Sequence, residues 1–362
     1  MQEALIAGGG PAGAAAAIVL ARAGWRVRVI EREGSPREKV CGEFLGADAA
    51  ALLAALGLDV AALGAVPIAG AQVARGAGAA ALDLPFAAWG LPRRVLDEAL
   101  LAVAAAAGAE VLRGQAVREA ACADAAWQLR LSDGAVVCAS QLILATGKHE
   151  LRGFPRTAQE GSVGAKLHLR LRAPLAAVTL LPFAGGYAGL QPGPGGIANL
   201  CAALSPARAG LAREAGSFVA LVAAGSALGA ALLEGAQPLM PRPLAVARVP
   251  YGFLHRDAAA AEPGLWRVGD QFAVIPSFCG DGMAMALAGG MAAAGAILAG
   301  EGAPAFHARW RARLRPAMAL AGASSFVLRR APRVFAGVVA FAPPLARLVA
   351  RRTRVAGPPL SA

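Results

Sequence analysis

Apolar and polar positions along this chain follow two alternating patterns. The first pattern begins at the N-terminus, where a short apolar run is followed by a stretch of small residues and by a second apolar run that ends on Glu31. Short apolar runs bounded by turn residues are typical of fully buried strands. Similar runs recur at 142–147 and 265–270. The sequence therefore predicts a βαβ unit at the start of a buried parallel sheet.

The second pattern consists of short alternating stretches separated by Pro and Gly turns, which predicts an antiparallel sheet. The predicted strands of this sheet are 165–171, 177–181, 187–190 and 197–202. Residues 68–84 read as strands outside the first lobe, and 116–137 read as a meander with a Ser132-Asp133-Gly134 turn. Helices are predicted at 47–57, 91–108 and 207–234, in the stretch that ends at Gly300, and across 306–355.

The length of 362 residues exceeds that of a usual single core, so two intimately packed lobes are expected. The predicted first domain is discontinuous and comprises 1–66, 93–155 and 262–300. The predicted second domain comprises 67–92 and 156–261, and 301–362 form a C-terminal helical segment.

The glycine spacing Gly8-x-Gly10-x-x-Gly13 lies at the junction between the first predicted strand and helix. Gly8 permits a tight turn, Gly10 leaves room for a pyrophosphate, and Gly13 allows the helix to pack closely on the strand. The helix N-terminus offers free N–H groups to phosphate charge. Glu31, at the end of the second strand, is placed to accept hydrogen bonds from a ribose diol. This unit predicts dinucleotide binding.

Composition narrows the range of functions. The net charge of +12 comes almost wholly from arginine, with no basic cluster interleaved with aromatics before residue 306, so nucleic-acid binding is not expected. Five scattered cysteines without a CxxC pair argue against a disulfide framework or a metal site. The first strand begins almost at once, without a basic leader, which favours a cytoplasmic protein. Ala215–Leu233 is uncharged but rich in Ala, Gly and Ser, so a buried helix is expected there rather than a membrane span.

Further segments carry a resemblance when they are combined with the glycine motif. They are Arg93-x-x-Leu96-Asp97, Ala145-Thr146-Gly147, Gly269-Asp270 and Pro276-Ser277-Phe278-Cys279-Gly280-Asp281-Gly282. Over residues 1–300 the chain resembles the FAD-dependent family of aromatic-ring hydroxylases, geranylgeranyl reductases and flavin-dependent halogenases. The resemblance implies an α/β fold in which a Rossmann-type FAD-binding domain, a parallel sheet with a β-meander, is interleaved with a substrate domain on an antiparallel sheet, followed by C-terminal helices.

The resemblance also implies a set of FAD-binding residues. Gly269-Asp270 would place a carboxylate on the ribityl or pyrophosphate side, Arg93 would contact the cofactor from a helix start, and the 276–282 loop would lead into a helix facing the flavin. The candidate cofactor-binding residues are Gly8, Gly10, Pro11, Ala12, Gly13, Glu31, Arg32, Cys41, Gly42, Arg93, Thr146, Gly147, Gly269, Asp270, Pro276, Gly280, Asp281, Gly282 and Met283.

The geranylgeranyl-reductase-like branch is the nearest resemblance, through Cys41-Gly42-Glu43-Phe44-Leu45 and Gly185–Pro192. Prenyl reductases show Tyr-x-Trp-x-Phe-Pro in the second segment, whereas this chain has Gly189 and Gln191 at the aromatic positions. The Thr146-Gly147 segment lacks the Asp and Ser of hydroxylases, and the Trp-x-Trp-x-Ile-Pro of halogenases has no counterpart. The expected function is an FAD-dependent monooxygenase acting on an apolar small molecule. C=C reduction in an isoprenoid or lipid and a non-enzymatic electron relay are the alternatives.

Electrons could reach the flavin from NAD(P)H docking transiently or from a partner protein, because no second GxGxxG follows a strand. Tyr187, Lys166 and His168 are the candidate catalytic residues. Lys166 and His168 share one face of a strand by period-two alternation. Cys41 and Cys279 read more simply as small loop residues than as reactive thiols, and Lys148 and His149 as a solvated loop.

The C-terminal segment is rich in arginine among apolar residues, including Arg329, Arg330, Arg333, Arg347, Arg351, Arg352 and Arg354. Two interpretations stay open. The helices could cap the substrate lobe, or they could lie on an anionic membrane surface and make the protein membrane-peripheral. The sequence does not indicate the oligomeric state.

Overall fold

The computed structural model describes residues 2–124, 126–156, 161–256 and 263–354. Numbered along the chain, the strands are β1 (Glu3–Ala7), β2 (Arg26–Glu31), β3 (Phe44–Gly46), β4 (Val66–Pro67), β5 (Gly70–Arg75), β6 (Gly78–Leu82), β7 (Ala88–Gly90), β8 (Glu110–Arg113), β9 (Val117–Ala123), β10 (Ala126–Leu131), β11 (Val136–Ala139), β12 (Gln141–Leu144), β13 (Ser162–Arg170), β14 (Ala177–Phe183), β15 (Gly186–Pro192), β16 (Ile197–Leu204), β17 (Gln237–Pro238), β18 (Leu244–Val249) and β19 (Leu265–Arg267). The helices are α1 (Pro11–Arg22), α2 (Ala47–Ala55), α3 (Arg93–Ala106), α4 (Ala215–Ala223), α5 (Ala227–Leu233), α6 (Gly282–Leu298), α7 (Ala303–Arg330), α8 (Pro332–Phe341) and α9 (Pro343–Arg352).

A five-stranded parallel sheet in the order β19-β12-β1-β2-β8 forms the centre of the first lobe. Its apolar strands are buried because helices cover the sheet, as the continuous apolar runs predict. α1 and α6 cross at small residues, and a Cβ on Gly290 would collide with the carbonyl oxygen of Ala12. The three-stranded meander β9-β10-β11 is confirmed, with Gly134 at a φ of 90° in its turn.

The second lobe is built on an eight-stranded sheet in the order β17-β13-β16-β15-β14-β5-β6, with β18 also paired to β13. Neighbouring strands are antiparallel except for β14 and β5, which are parallel. The expected antiparallel sheet and the contribution of 68–84 to it are thus confirmed. β7 belongs to the predicted second domain but pairs with β3 and β4 in a separate small sheet.

One segment differs in detail from the sequence prediction. The stretch 215–233 forms two short helices, α4 and α5, rather than one. The helix is interrupted there because Gly225 packs against the backbone of β14. A Cβ on Gly225 would lie 2.6 Å from the carbonyl oxygen of Pro182. Ser226 then caps α5 through the Gly229 N–H at 3.0 Å. The predicted boundary between residues 261 and 262 and the chain end from 355 to 362 lie outside the described residues.

The C-terminal helices cover the substrate lobe. α8 packs on β5 and β6, and Ala336, Val339 and Ala346 share an apolar cluster with Val73 and Ala80. A sharp bend of 108° separates α8 from α9. No single described helix is long and apolar enough to cross a membrane, and α8 and α9 pass the same test of length and composition only as this bent pair.

Candidate functional site

The glycine loop between β1 and α1 is shaped by close backbone contacts. Gly8 has a φ of 110°, and a Cβ there would collide with the carbonyl oxygen of Ala145 at the end of β12. A Cβ on Gly13 would overlap the carbonyl oxygen of Gly8, so only glycine lets α1 approach the strand. α1 begins at Pro11 with no acidic residue in its first turn and no side-chain cap. Its N–H groups are therefore left for an anionic ligand.

Glu31 closes the other side of this loop. It is 6% exposed, and its carboxylate accepts hydrogen bonds from the N–H groups of Gly9 at 2.8 Å and Glu33 at 3.0 Å. The carboxylate thus fixes the glycine loop while it also lines the cavity. A carboxylate has further lone pairs beyond these two bonds, so it can still accept from a ribose hydroxyl.

Arg93 is a largely buried cation at the start of α3. Its guanidinium donates two hydrogen bonds to Asp97, at 2.7 and 2.9 Å, and lies 3.6 Å from the position that a Cβ on Gly10 would take. Burial opposes the charge on Arg93, but the negative charge of Asp97 outweighs it and raises the arginine pKa above its usual value. The arrangement places a permanent positive charge beside the glycine loop, where a pyrophosphate would need it.

The turn after β12 carries a second cation. Gly147 has a φ of 63°, and the following Lys148 lies with its Nζ 3.4 Å from the Asp270 carboxylate. Burial opposes the charge on Lys148, but Asp270 outweighs it and raises the lysine pKa. Lys148 is therefore a partly buried, paired cation rather than a freely solvated loop residue. Gln271 holds the turn by donating to the carbonyl oxygen of Gly147 at 2.8 Å.

The loop before α6 faces the cavity with small residues. Gly280 has a φ of 68°, and a Cβ there would lie 2.6 Å from a ring carbon of Phe44. Cys279, Gly282 and Met283 line the cavity with it. The N-terminus of α6 therefore opens onto this space, and a helix N-terminus stabilises negative charge such as that on a reduced flavin.

Three residues of the predicted FAD set lie away from the cavity lining. Gly13 and Pro276 contribute backbone shape. Asp281 is fully buried and accepts a hydrogen bond from Arg354 at 3.2 Å, with Asp48 also beside that arginine. Burial raises the pKa of Asp281, and the nearby Asp48 adds to the rise while Arg354 opposes it. Asp281 thus anchors the C-terminal end of the described chain. The other predicted FAD-binding residues line the cavity.

The Cys41-Gly42-Glu43 loop is fastened to the substrate lobe. Asn199 of β16 donates to the carbonyl oxygens of Cys41 and Gly42, at 3.0 and 2.9 Å. Glu43 adopts a positive φ of 61° and accepts a hydrogen bond from the Arg93 N–H at 2.8 Å. The loop therefore ties the glycine-motif lobe to the large sheet at the edge of the cavity.

Lys166 and His168 share one face of β13, as predicted, and that face points at this loop. Lys166 is fully buried, with its Nζ 2.6 Å from Glu43 and 2.7 Å from Glu38. His168 Nε2 lies 3.2 Å from the second Glu43 oxygen. Neither side chain lines the cavity. Glu38, Glu43 and His168 have the geometry of a metal-ligand group, but the Lys166 ammonium already occupies the place of a cation between the two carboxylates.

Tyr187, the third catalytic candidate, does line the cavity. Its hydroxyl lies 2.8 Å from Ser277 Oγ and accepts a hydrogen bond from the Phe278 N–H at 3.3 Å. Tyr251, which the sequence analysis missed, shares Ser277 as a hydrogen-bond partner and also lines the cavity. Burial raises the pKa of both tyrosines, so both hydroxyls stay protonated. The two tyrosines of the chain therefore meet at one serine beside the loop that precedes α6.

One cavity of about 1270 Å³ extends from the glycine loop, past Tyr187 and Ser277, to the C-terminal helices. One part of its lining, which we call the polar half, comprises the glycine loop, Glu31, Arg93 and Lys148. Its second half is apolar and lies between the large sheet and the C-terminal helices. The lining of this apolar chamber includes Val73, Leu82, Leu84, Phe86, Val178, Leu180, Phe335, Val338, Val339, Ala346, Val349 and Ala350. Tyr187 links the two groups of lining residues, because its hydroxyl lies 2.8 Å from Ser277 before α6 and its ring shares an apolar cluster with Phe335 of the C-terminal helices.

The polar half of the cavity fits an FAD molecule. It has a glycine loop without Cβ atoms, a free helix N-terminus, an acidic residue at the end of β2 and a largely buried arginine. Residues 1–134 match the family model described as FAD binding domain. This match supports FAD binding by the first lobe.

Several solved structures have the same architecture as this chain. The flavin-dependent brominase Bmp2 superposes with a TM-score of 0.79 at 19% identity, covering 97% of this chain and 92% of that one. The halogenase PltM in complex with phloroglucinol and FAD gives 0.73 at 14% identity, covering 93% and 79%. A geranylgeranyl bacteriochlorophyll reductase-like protein from Thermoplasma acidophilum gives 0.68 at 20% identity, covering 98% and 93%. These likenesses show the fold. No protein with a curated description matches the chain.

Proposed function

We propose that this flavoprotein is a monooxygenase that inserts one oxygen atom into an apolar small molecule. The observation that carries the proposal is the single cavity, in which a charged cradle for FAD opens into a chamber lined by aliphatic and aromatic side chains. A cavity of this size exceeds the range of about 300–1,000 Å³ for one drug-sized ligand, so it has room for a cofactor and a substrate together. PltM, which shares the fold, binds both FAD and phloroglucinol.

Each part of the polar half has a role in holding the cofactor. The N-terminus of α1 and Arg93 would bind the pyrophosphate, Glu31 the adenosine ribose, and the start of α6 the electron-rich edge of the flavin ring. When bound, the flavin supplies two-electron transfer and activation of dioxygen. One atom of O2 would enter the product and the other would leave as water, with two electrons coming from NAD(P)H as the proposed transient donor.

The apolar chamber performs the second task, which is to hold the substrate and to exclude water. Leu180 and Val73 of the sheet line this space, as do Val339 and Ala346 of the C-terminal helices, and the four side chains share one apolar cluster. Gly189 lines the cavity at a position where the resembling prenyl reductases carry an aromatic residue. The absent side chain widens the chamber beside Tyr187. Such a lining selects ligands by shape and apolar area rather than by charge.

Tyr187 is the residue that we assign to proton transfer. Its hydroxyl is protonated, desolvated and directed by Ser277, and the residue links the two groups of lining residues. A hydroxyl in this position can donate a hydrogen bond to an oxygen atom that develops negative charge during the reaction. Tyr187→Phe removes this donor and also a partner of Ser277. We expect turnover to fall by about 10²–10⁴-fold with little change in FAD affinity.

An experiment with isotopically labelled oxygen tests the proposed reaction. Alkylphenols of increasing chain length are first screened for perturbation of the bound flavin spectrum. A ligand that accelerates NADPH oxidation is then turned over under ¹⁸O2. The proposal requires one labelled oxygen atom in the product. If accelerated NADPH oxidation releases only peroxide or water and leaves every such ligand unoxygenated, the monooxygenase proposal fails.

A specific observation favours one alternative, the reduction of a C=C bond. Saturation of a double bond needs a hydride on one carbon and a proton on the other, and Tyr187 and Tyr251 are two neutral hydroxyl donors facing an apolar chamber. Anaerobic turnover separates the two reactions. A chemically reduced reductase saturates an isoprenoid alcohol without oxygen, whereas a monooxygenase requires oxygen for every turnover.

A further inference from the structure

The C-terminal helices have two apolar surfaces, of which only the inner one has a partner. Val338, Val339 and Ala346 face inward and roof the apolar chamber. The outer surface, which we define by Phe326, Val334, Phe341, Leu345 and Leu348, is exposed by 64, 59, 76, 50 and 50% respectively. The remaining exposed large hydrophobic residues in the described part of the chain are scattered, at Val136, Leu211, Leu239 and Leu298. A concentration of this kind marks an interaction surface.

Helix periodicity groups these outer residues. Val334 and Phe341 are seven positions apart on α8 and therefore lie on one face. Leu345 and Leu348 are three positions apart on α9, and Arg352 follows Leu348 at the next helical turn. Two arginines extend over the exposed rings, with Arg330 at 5.9 Å from Phe326 and Arg75 at 4.5 Å from Phe341.

The arginines and the absence of carboxylates make this region positively charged. Between residues 302 and 354 the sequence has eleven arginines and neither aspartate nor glutamate. Six of these arginines are exposed near the outer surface: Arg329, Arg330, Arg333, Arg347, Arg351 and Arg352. Arg347 pairs with Asp83 at 2.7 Å, and no carboxylate among the described residues pairs with the other five. The outer surface thus combines apolar side chains with uncompensated positive charge.

A surface with this composition fits the headgroup region of a bilayer that contains anionic lipids. Arginines are attracted to the negative lipid charge, and Phe, Leu and Val side chains can enter the boundary of the acyl chains. A second copy of this chain would set arginine against arginine. A nucleic acid would leave the exposed leucines and Phe341 uncovered. The inner face of the helices is packed on β5 and β6, which favours a pair of helices lying along the bilayer.

We propose that the outer surface of α8, α9 and the end of α7 docks on anionic lipid bilayers and makes the protein membrane-peripheral. The full-length, FAD-loaded protein is sedimented with phosphatidylcholine vesicles that contain or lack phosphatidylglycerol. We expect the protein to pellet with the phosphatidylglycerol vesicles, to remain mostly in solution with neutral vesicles, and to be released by added salt.

Variants of the outer surface test whether this surface is the part of the protein that binds the vesicles. Arg351→Gln/Arg352→Gln should weaken binding by about fivefold for each arginine, and Phe341→Ser/Leu345→Ser/Leu348→Ser should also reduce pelleting. The matched controls are Arg242→Gln, at another exposed arginine, and Val136→Ser/Leu239→Ser, at exposed apolar residues elsewhere. The controls should bind as the wild type does. Retained flavin absorbance and an unchanged melting temperature verify that every variant is folded.

Four outcomes would overturn the proposal. The wild-type protein could stay in solution with both kinds of vesicle, or it could pellet equally with both. The folded surface variants could pellet as the wild type does. Finally, light scattering could show a dimer that the apolar surface variants convert to monomers without any lipid dependence, in which case a second copy of the chain is the partner.

Discussion

Lys166 Nζ lies 2.6 Å from Glu43 Oε1, and this buried ion pair joins β13 of the substrate sheet to the loop that edges the cavity. Lys166 is fully buried, and the Glu43 side chain is 4% exposed. Since Glu43 also receives the N–H of Arg93 and a hydrogen-bond contact from His168, one carboxylate links three distant segments. From this relationship we expect Lys166 to position the loop rather than to act on a substrate.

Truncation of Lys166 tests that role. Lys166→Met leaves Glu43 and Glu38 without their shared cation, and breaking a buried pair costs about 3–5 kcal/mol of unfolding free energy. The measurement is urea unfolding followed by tryptophan fluorescence. Arg172→Met is the control, because the Arg172–Glu234 pair is about two-thirds exposed on both sides and should contribute about 0–1 kcal/mol. A Lys166→Met protein that keeps wild-type stability but loses turnover would make Lys166 a catalytic residue instead.

The same cluster predicts how stability responds to acid. Burial raises the pKa of Glu43, but the hydrogen bond with His168 and the charge of Lys166 outweigh it, so the pKa in the folded protein lies below the usual value. A lowered pKa stabilises the fold above the unfolded value of about 4.3, and this stabilisation is lost as the pH falls through the folded pKa. Asp97 acts in the same direction, since Arg93 holds its pKa low against the effect of burial.

Unfolding free energies measured between about pH 7 and pH 3 check this expectation. The wild type should lose stability steadily below the unfolded pKa of glutamate. Glu43→Gln should be less stable at neutral pH and should decline less steeply in acid, because one of the titrating carboxylates is gone. Parallel curves for the two proteins would show that Glu43 does not contribute to the acid response.

Arg354 is expected to hold the C-terminal helices α8 and α9 in place over the apolar chamber. It approaches Asp281 at 3.2 Å and Asp48 at 3.7 Å, and its guanidinium lies 4.1 Å from the centre of the Phe86 ring. Arg354→Met should cost about 1–3 kcal/mol, because it removes a hydrogen bond to the buried Asp281. Limited proteolysis should then cleave the C-terminal helices more rapidly.

Arg352→Met provides the comparison for that variant. Arg352 is exposed and has no ion pair among the described residues, so its removal should change stability by less than about 0.5 kcal/mol. Adding Asp281→Asn to Arg354→Met should recover part of the loss by removing one of the carboxyl groups. If Arg354→Met and Arg352→Met are equally stable and equally resistant to protease, Arg354 does not anchor the C-terminal helices.

The fold was largely predictable because its signals are local. The apolar runs of β1, β12 and β19 and the alternation of β13–β16 each lie within a few residues of sequence. The break between α4 and α5 was not predictable, since it depends on the contact of Gly225 with the distant strand β14. The placement of β7 in a separate small sheet likewise depends on pairing with β3.

Some features of the site were likewise predictable from local sequence, and others were not. The glycine loop and the face shared by Lys166 and His168 follow from spacing alone. The partner of Lys166 lies 123 positions away along the chain, and that of Asp281 lies 73 positions away, so no local pattern could reveal either pair. Tyr251 was missed because it lies in a turn after β18 and reaches Ser277 only in the folded molecule.

FAD binding to the wild type and to Gly13→Ala is the measurement that tests the central claim most directly. A Cβ at Gly13 would overlap the carbonyl oxygen of Gly8 and push α1 away from the phosphate position. Gly216→Ala is the matched control, because a Cβ at that helical position meets no neighbouring atom. Equilibrium dialysis should give a single FAD bound per chain for the wild type and for Gly216→Ala, and none for a folded Gly13→Ala. A wild-type chain that binds no FAD, or a Gly13→Ala chain that binds it equally well, would contradict the account.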